Sequence, residues 1–329
     1  MKIRLFLTVL CGAFAMAVVI LPATEGQRTI HLNRLIDVLS QGKVAIGISS
    51  GRATDLAGFH EAGKARARVI NSDFLFMSMA DPSTFSIPKL KAYMQGLVEG
   101  GATSNPSSHP MLLRVPTVHD DTKAAQRRIQ RVLDNGVYNL MFPHVESAEE
   151  ALFAIRAMRY PSQDLIDGTR RPNTGGNAPL VWGISESEYR SKADIWPLDP
   201  NGELATVILL ESVPAVEENG RAITAVQGAT IVIPAPGDLR AAYTAHMFPD
   251  VVVGGGEGDG LSEDQEEALQ TRLEEVFAMQ LATCIELDVV CGITAGEGDI
   301  ERRITQGFRF IIANSIEALE IGHAATGND

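Results

Sequence analysis

Apolar positions along this chain fall into short runs of aliphatic and β-branched residues, and these runs alternate with stretches of helical period. Eight runs read as strands: Val44 to Ile48, Asp73 to Met79, Met111 to Val115, Val137 to Phe142, Ala205 to Leu210, the stretch around Ile231, Val289 to Ile293 and Phe308 to Ile312. Continuous apolar runs bounded by turn residues are the pattern of parallel strands buried on both faces. Between them, Leu32, Leu35, Ile36 and Leu39 share one helical face that Gly42 ends. Ser147 with Glu150 reads as a capping box ahead of Ala151, Leu152, Ile155 and Met158. Ser262 with Gln265 opens a helix carrying Leu269, Leu273, Val276 and Phe277, and Thr122 precedes one carrying Ile129, Val132 and Leu133. Eight strands alternating with helices predict a (β/α)₈ TIM barrel. A doubly wound open sheet is the other architecture with this alternation, but no glycine-rich dinucleotide fingerprint follows the first strand.

The first residues stand apart from this pattern. Met1-Lys2-Ile3-Arg4 is basic, Leu5 to Leu21 is apolar, and Pro22 to Gln27 is small and polar. That is the order of a secretory signal, so residues 1–27 are expected to be removed, and 28–329 to form a single barrel domain that is secreted or periplasmic. An uncleaved anchor is the competing reading, because the apolar run is near spanning length. After cleavage no stable membrane association is expected. Two long polar segments, 162–202 and 246–260, interrupt the alternation and are expected as loops on the functional side. Trp182, Tyr189 and Trp196 in the first of them are candidates for packing on a large substrate. The net charge of −13 argues against nucleic acid as a partner. Cys11 lies inside the apolar leader, which leaves Cys284 and Cys291. These are expected as buried free thiols, although an oxidising compartment would allow them to pair.

The candidate chemistry sits at strand ends. In a barrel, functional side chains come from the carboxyl ends of the strands. Glu211 ends the fifth strand, Asp238 follows the sixth, and Arg114 ends the third. Two carboxylates plus water suit a hard divalent ion such as Mg²⁺ or Mn²⁺. Asp238 could instead cap the helix that follows it. The Arg114 fork suits a carboxylate or an enolate oxygen, or else an ion pair closing the rim. Pro236 and Gly237, just before Asp238, offer free backbone groups to an anion at a helix start. A 2-oxo acid could chelate the metal there, with the ion acting as a Lewis acid. His144, after the fourth strand, is a candidate proton donor; His119 and His246 read as surface histidines.

Several motifs in order carry a family resemblance. They are Leu32-Asn33-Arg34-Leu35 with Gly42 to Gly47, Leu113-Arg114-Val115-Pro116, Leu133-Asp134-Asn135-Gly136, Phe142-Pro143-His144-Val145-Glu146-Ser147, Arg159-Tyr160-Pro161, Leu210-Glu211-Ser212 and Ala235-Pro236-Gly237-Asp238-Leu239. From Leu32 to about Ile316 the chain resembles the HpcH/HpaI aldolase and citrate lyase β-subunit family, the metal-dependent class II pyruvate aldolases. The resemblance implies a TIM barrel, a homo-oligomer, Glu211 and Asp238 as metal ligands, and Arg114 on the substrate's oxo and enolate oxygens. It also implies that Asp134 is the acid that supports a catalytic histidine. That histidine is missing: where the family has Asp-x-Glu-His, this chain has Ser78-Met79-Ala80-Asp81. Asp81 could share a proton with Asp134, or could only cap the turn at Pro82. Leu209 replaces a family glutamine and Arg240 a serine.

The expectation is therefore a secreted, divalent-metal-dependent carbon–carbon lyase acting on a 2-oxo acid or related small chelating molecule. Asp81, Asp134, His144 or metal-bound water would move the proton. The alternatives are a metal-dependent hydrolase or other lyase using metal-bound water, and a catalytically silent binding protein.

Overall fold

Parallel strand pairing runs around a full circle in this protein. The structure, a computed structural model, describes residues 30–327 except 52, 70, 102–108, 162–167, 169–170, 173–174 and 252–259. The leader read at 1–27, with Cys11, and parts of both long segments lie outside the described residues. The strands are β1 (Ala45–Ser49), β2 (Leu75–Ser78), β3 (Met111–Arg114), β4 (Asn139–Phe142), β5 (Ala205–Leu210), β6 (Ile231–Pro234), β7 (Val290–Ala295) and β8 (Phe310–Ala313). Each pairs with its successor, and β8 returns to β1 with Ala45 opposite Phe310, which closes the barrel. The expected TIM barrel is the observed fold.

The described helices are α1 (Arg34–Ser40), α2 (Leu56–Arg66), α3 (Ile87–Glu99), α4 (Thr122–Leu133), α5 (Ala148–Met158), α6 (Ala178–Trp182), α7 (Glu186–Lys192), α8 (Val213–Glu217), α9 (Gly220–Thr224), α10 (Pro236–Met247), α11 (Glu263–Glu286), α12 (Ile300–Gln306) and α13 (Ile316–Thr326). Ser262 and Gln265 form the full reciprocal cap on α11. At α5 the box is half made: Ser147 accepts from the Glu150 amide, but the Glu150 carboxylate takes the Glu146 amide instead. The short α8 and α9 fill the β5–β6 crossover and carry no long apolar period, so the pattern did not reveal them. β2 is shorter than its apolar run, and ahead of it the buried Asp73 carboxylate accepts from the Ile46 amide.

The core has two layers, as a period of two on a doubly buried strand requires. Phe74, Leu112, Met141, Val207, Leu209, Ile231, Ile233, Val290, Phe310 and Ile312 fill the barrel interior. The alternate residues, such as Leu113, Leu140, Ile208, Leu210 and Ile311, pack outward against the helices. Leu35 and Leu39 of α1 join the inner layer and plug the end where the strands begin. Asn33 fastens this plug, donating to Asn139 Oδ1 at 2.7 Å and to the Glu203 carbonyl at 3.0 Å. The buried Glu203 carboxylate in turn accepts the Leu32 and Asn33 amides. With that end sealed, only the carboxyl ends of the strands are left to hold a site.

Helices α2 and α3 touch backbone to backbone through Gly63 and Gly96. A Cβ on Gly96 would stand 2.0 Å from the His60 carbonyl oxygen, and one on Gly63 2.1 Å from that of Tyr93. Neither oxygen can swing away, because each belongs to helix backbone. Gly96→Ala should therefore push the helices apart and cost about 1–3 kcal/mol, read as a lower urea midpoint; an unchanged midpoint would contradict this contact.

Candidate active site

Strand polarity places Arg114, Glu211 and the start of α10 at the open end of the barrel, and the structure brings them to one cavity. Its volume is about 470 Å³, within the range of small-molecule sites. Arg114, Glu211, Pro236, Gly237 and Asp238 line one side. Phe76, Met141, Leu209, Ile233 and Ile312 make an apolar floor, and Thr294, Gly296, Asp299 and Asn314 make the far rim.

Glu211 is the hub. Its side chain is fully buried, and one carboxylate oxygen accepts from Arg114 at 2.6 Å. The other accepts from the backbone amide of His144 at 2.6 Å and faces His144 Nδ1 at 3.1 Å. The loop after β4 is shaped for this contact. His144 has φ +50°, a left-handed conformation that costs a non-glycine residue on the order of 1–3 kcal/mol. Glu146, two residues on, holds the loop: its carboxylate accepts from Ser212 Oγ at 2.7 Å and its carbonyl from Asn219. Ser212 also caps α8, directly after Glu211. The β4 and β5 loops are thus tied together around one carboxylate.

Asp238 lies in the first turn of α10, but the cap position is Ala235, which makes no side-chain cap bond. Capping is therefore not what occupies Asp238. Its carboxylate stands within hydrogen-bond reach of Glu211. Burial pushes the Glu211 pKa up to about 7; Arg114 and the His144 amide pull it down, and the Asp238 charge pushes it up further. Two carboxylates facing one cavity beside a single guanidinium are short of positive charge. That donor set suits a hard divalent ion completed by water and substrate oxygens. Among the described residues no group of three or more His, Cys, Asp or Glu forms a complete ligand cluster, so the protein would contribute two carboxylates. Arg114 Nε is buried without a partner among the described residues, in keeping with a fork that has capacity left for a ligand.

Other expectations need correction. Asp81 and Asp134 do not share a proton within one chain. Asp81 follows β2, so it sits at the open end, whereas Asp134 caps the end of α4, before β4, at the opposite end. Asp81 is exposed, accepts from the Ser83 amide at 2.8 Å, and has a lowered pKa because of that bond; its turn-capping reading is the one observed. Asp134 faces Arg171 at 3.7 Å and Gln130, with its pKa raised by burial. Neither lines the cavity. The described part of 162–202 lies between α5 and β5, at the sealed end rather than over the mouth. Trp182 there is fully buried, stacks on Tyr138 at 4.2 Å and donates to the Gly136 carbonyl, and Tyr189 is buried beside it. These aromatics are core, and Trp196 packs against the inner layer; none lines the cavity. His119 and His246 are exposed and outside the cavity lining. The rim residues Thr294 and Asn314 are absent from the candidates read in the sequence, although both stand at strand carboxyl ends, the signal that marks Glu211.

Comparison with known proteins agrees with this geometry. Residues 101–252 match the model of HpcH/HpaI aldolase/citrate lyase. A hydroxypyruvate/pyruvate aldolase of Paraburkholderia phytofirmans is 33% identical over 113 residues, 34% of this chain and 40% of that protein. A 5-keto-4-deoxy-D-glucarate aldolase of Citrobacter koseri is 26% identical over 238 residues, 71% of this chain and 72% of that protein. Among solved structures, the HpcH/HpaI aldolase of Desulfitobacterium hafniense shares the fold with a TM-score of 0.61 at 19% identity, covering 88% of this chain and 93% of that one.

The raised Glu211 pKa has a consequence for stability. Glu211 holds its proton more tightly folded, at about 7, than at its ordinary value of 4.5. Its contribution to stability is full below about 4.5 and is lost as pH rises through about 7. In metal-free protein, Glu211→Gln should flatten the fall in denaturation free energy between about pH 5 and pH 8. A slope equal to that of the unaltered protein would contradict the shift.

Proposed function

We propose, from the match of residues 101–252 to the HpcH/HpaI aldolase/citrate lyase model and the likeness to aldolases of that kind, that this chain is a divalent-metal-dependent carbon–carbon lyase that cleaves a 4-hydroxy-2-oxo acid to a pyruvate-type product and an aldehyde. The observation that carries this reading is the Glu211 carboxylate, which joins Arg114 and the His144 loop and faces Asp238 in one cavity. Glu211 and Asp238 would hold Mg²⁺ or Mn²⁺, and such an ion supplies Lewis acidity toward the 2-oxo acid. Secretion, with removal of residues 1–27, and homo-oligomeric assembly are part of the same proposal.

The chain's own residues divide the remaining work. The Arg114 guanidinium binds the oxygens of the 2-oxo acid end and opposes negative charge that develops there as the bond breaks. The first-turn amides of α10 at Gly237 and Asp238 have no helical acceptor and orient the carboxylate. The apolar floor of Phe76, Leu209 and Ile312 keeps water from the carbon that becomes nucleophilic. His144 Nδ1 stands 3.1 Å from the Glu211 carboxylate, which leaves Nε2 to take the proton of the 4-hydroxyl as the C3–C4 bond breaks. The electron pair moves to the 2-oxo end, and C3 then takes up the proton that His144 Nε2 removed, which returns the imidazole to its starting state. His144 follows β4 and stands beside Glu211, outside the cavity lining itself, so it would reach the substrate from a different strand than the missing family histidine would.

An assay for pyruvate released from 4-hydroxy-2-oxo acids tests this directly. Release should require Mg²⁺ or Mn²⁺, vanish with chelator, and fall by at least about 100-fold in Glu211→Ala. Release unaffected by chelator would overturn the proposal, and ion binding without release would favour a hydrolase or another lyase reaction. His144→Asn keeps a residue tolerant of the left-handed backbone and removes the ring. It should lower kcat by about 10²–10⁴-fold while ion binding persists, and an unchanged kcat would remove His144 from the proton path.

A further inference from the structure

Away from the cavity, the two cysteines of the barrel meet. Cys284 lies in the last turn of α11 and Cys291 in β7, seven residues on. Their Sγ atoms are 2.7 Å apart, closer than two unbonded sulfurs rest comfortably, although the cysteines are free in this structure. The turn between them is built to bring them together. Asp288 takes a left-handed φ of +54°, and the Val289 amide donates to the Cys284 carbonyl at 2.9 Å, folding the strand back along the end of the helix. Both side chains are buried, and the Gln280 amide reaches Cys284 Sγ at 3.5 Å. No further ligand for a metal gathers there among the described residues.

We propose that Cys284 and Cys291 form an intramolecular disulfide that staples the end of α11 to β7. The reaction is thiol–disulfide exchange with a small-molecule or protein disulfide. Both Cys S–H bonds and the oxidant's S–S bond break, the Cys284–Cys291 S–S bond forms, and the oxidant takes up two electrons and two protons as two thiols. Burial raises the Cys291 thiol well above its ordinary pKa, so the folded pair is a poor nucleophile. The bond therefore forms while the chain folds, before the turn is sealed. Cys291 lies on the strand whose other end, Thr294 to Gly296, lines the cavity, so the staple anchors one wall of the site without touching it.

The test is refolding of the full chain in a buffer of reduced and oxidised glutathione, followed by alkylation of free thiols under denaturing conditions and tryptic digestion. No Lys or Arg lies between Leu273 and Glu301, so both cysteines fall in one peptide, 273–302. The expected product is that peptide unlabelled and two hydrogens lighter than its dithiol form, taking up two labels only after reduction. Reductant should also lower the Tm of the oxidised protein and leave a Cys284→Ala/Cys291→Ala variant unmoved. Two labels without prior reduction, glutathione attached to either cysteine, or linkage of either to Cys11 would overturn the proposal. The mass readout needs no variant to fold, and its outcome is independent of whether the barrel has lyase activity.

Discussion

The site depends on one buried carboxylate that is asked to do several things at once. Glu211 accepts the Arg114 guanidinium on one oxygen and the His144 amide on the other, with Asp238 beside it in the same cavity. A buried charge with two charge-assisted hydrogen bonds is held in place far more firmly than a surface ion pair. The cost of that burial shows in its raised pKa. A second carboxylate beside it would be a defect in a purely structural ion pair, and it is what a cation site requires.

The scaffold explains why the hub can be held so tightly. One end of the barrel is sealed by α1 through Asn33, Asn139 and Glu203, and the interior is filled by interlocking apolar side chains. Packing of that density leaves little freedom to the strand ends. The Glu146–Ser212 and Glu146–Asn219 bonds then fix the two loops that flank Glu211. Strain at His144 is sustained because its amide has a charged acceptor waiting. Residues 101–252 match the HpcH/HpaI aldolase/citrate lyase model, and this construction suits a reaction in which charge develops at a fixed place.

Much of this was legible before any coordinates. Eight apolar runs with turn residues between them specify the barrel, since each strand must be buried on both faces. Arg114, Glu211 and Asp238 are found by one rule, that chemistry collects at strand carboxyl ends. Applied further, the same rule finds Thr294 and Asn314. It also separates Asp81, after a strand, from Asp134, before one; motif matching alone set them side by side. Trp182 and Tyr189 mislead because a polar, glycine-rich segment hides a local core beneath it. The left-handed backbone at His144 has no sequence signal, because only the acceptor at Glu211 makes it worthwhile.

The most direct measurement is anomalous diffraction from a crystal soaked in Mn²⁺. The account predicts one strong peak between the carboxylates of Glu211 and Asp238, beside Arg114. A soaked crystal with no peak there, or with its Mn²⁺ bound only elsewhere on the molecule, would contradict it.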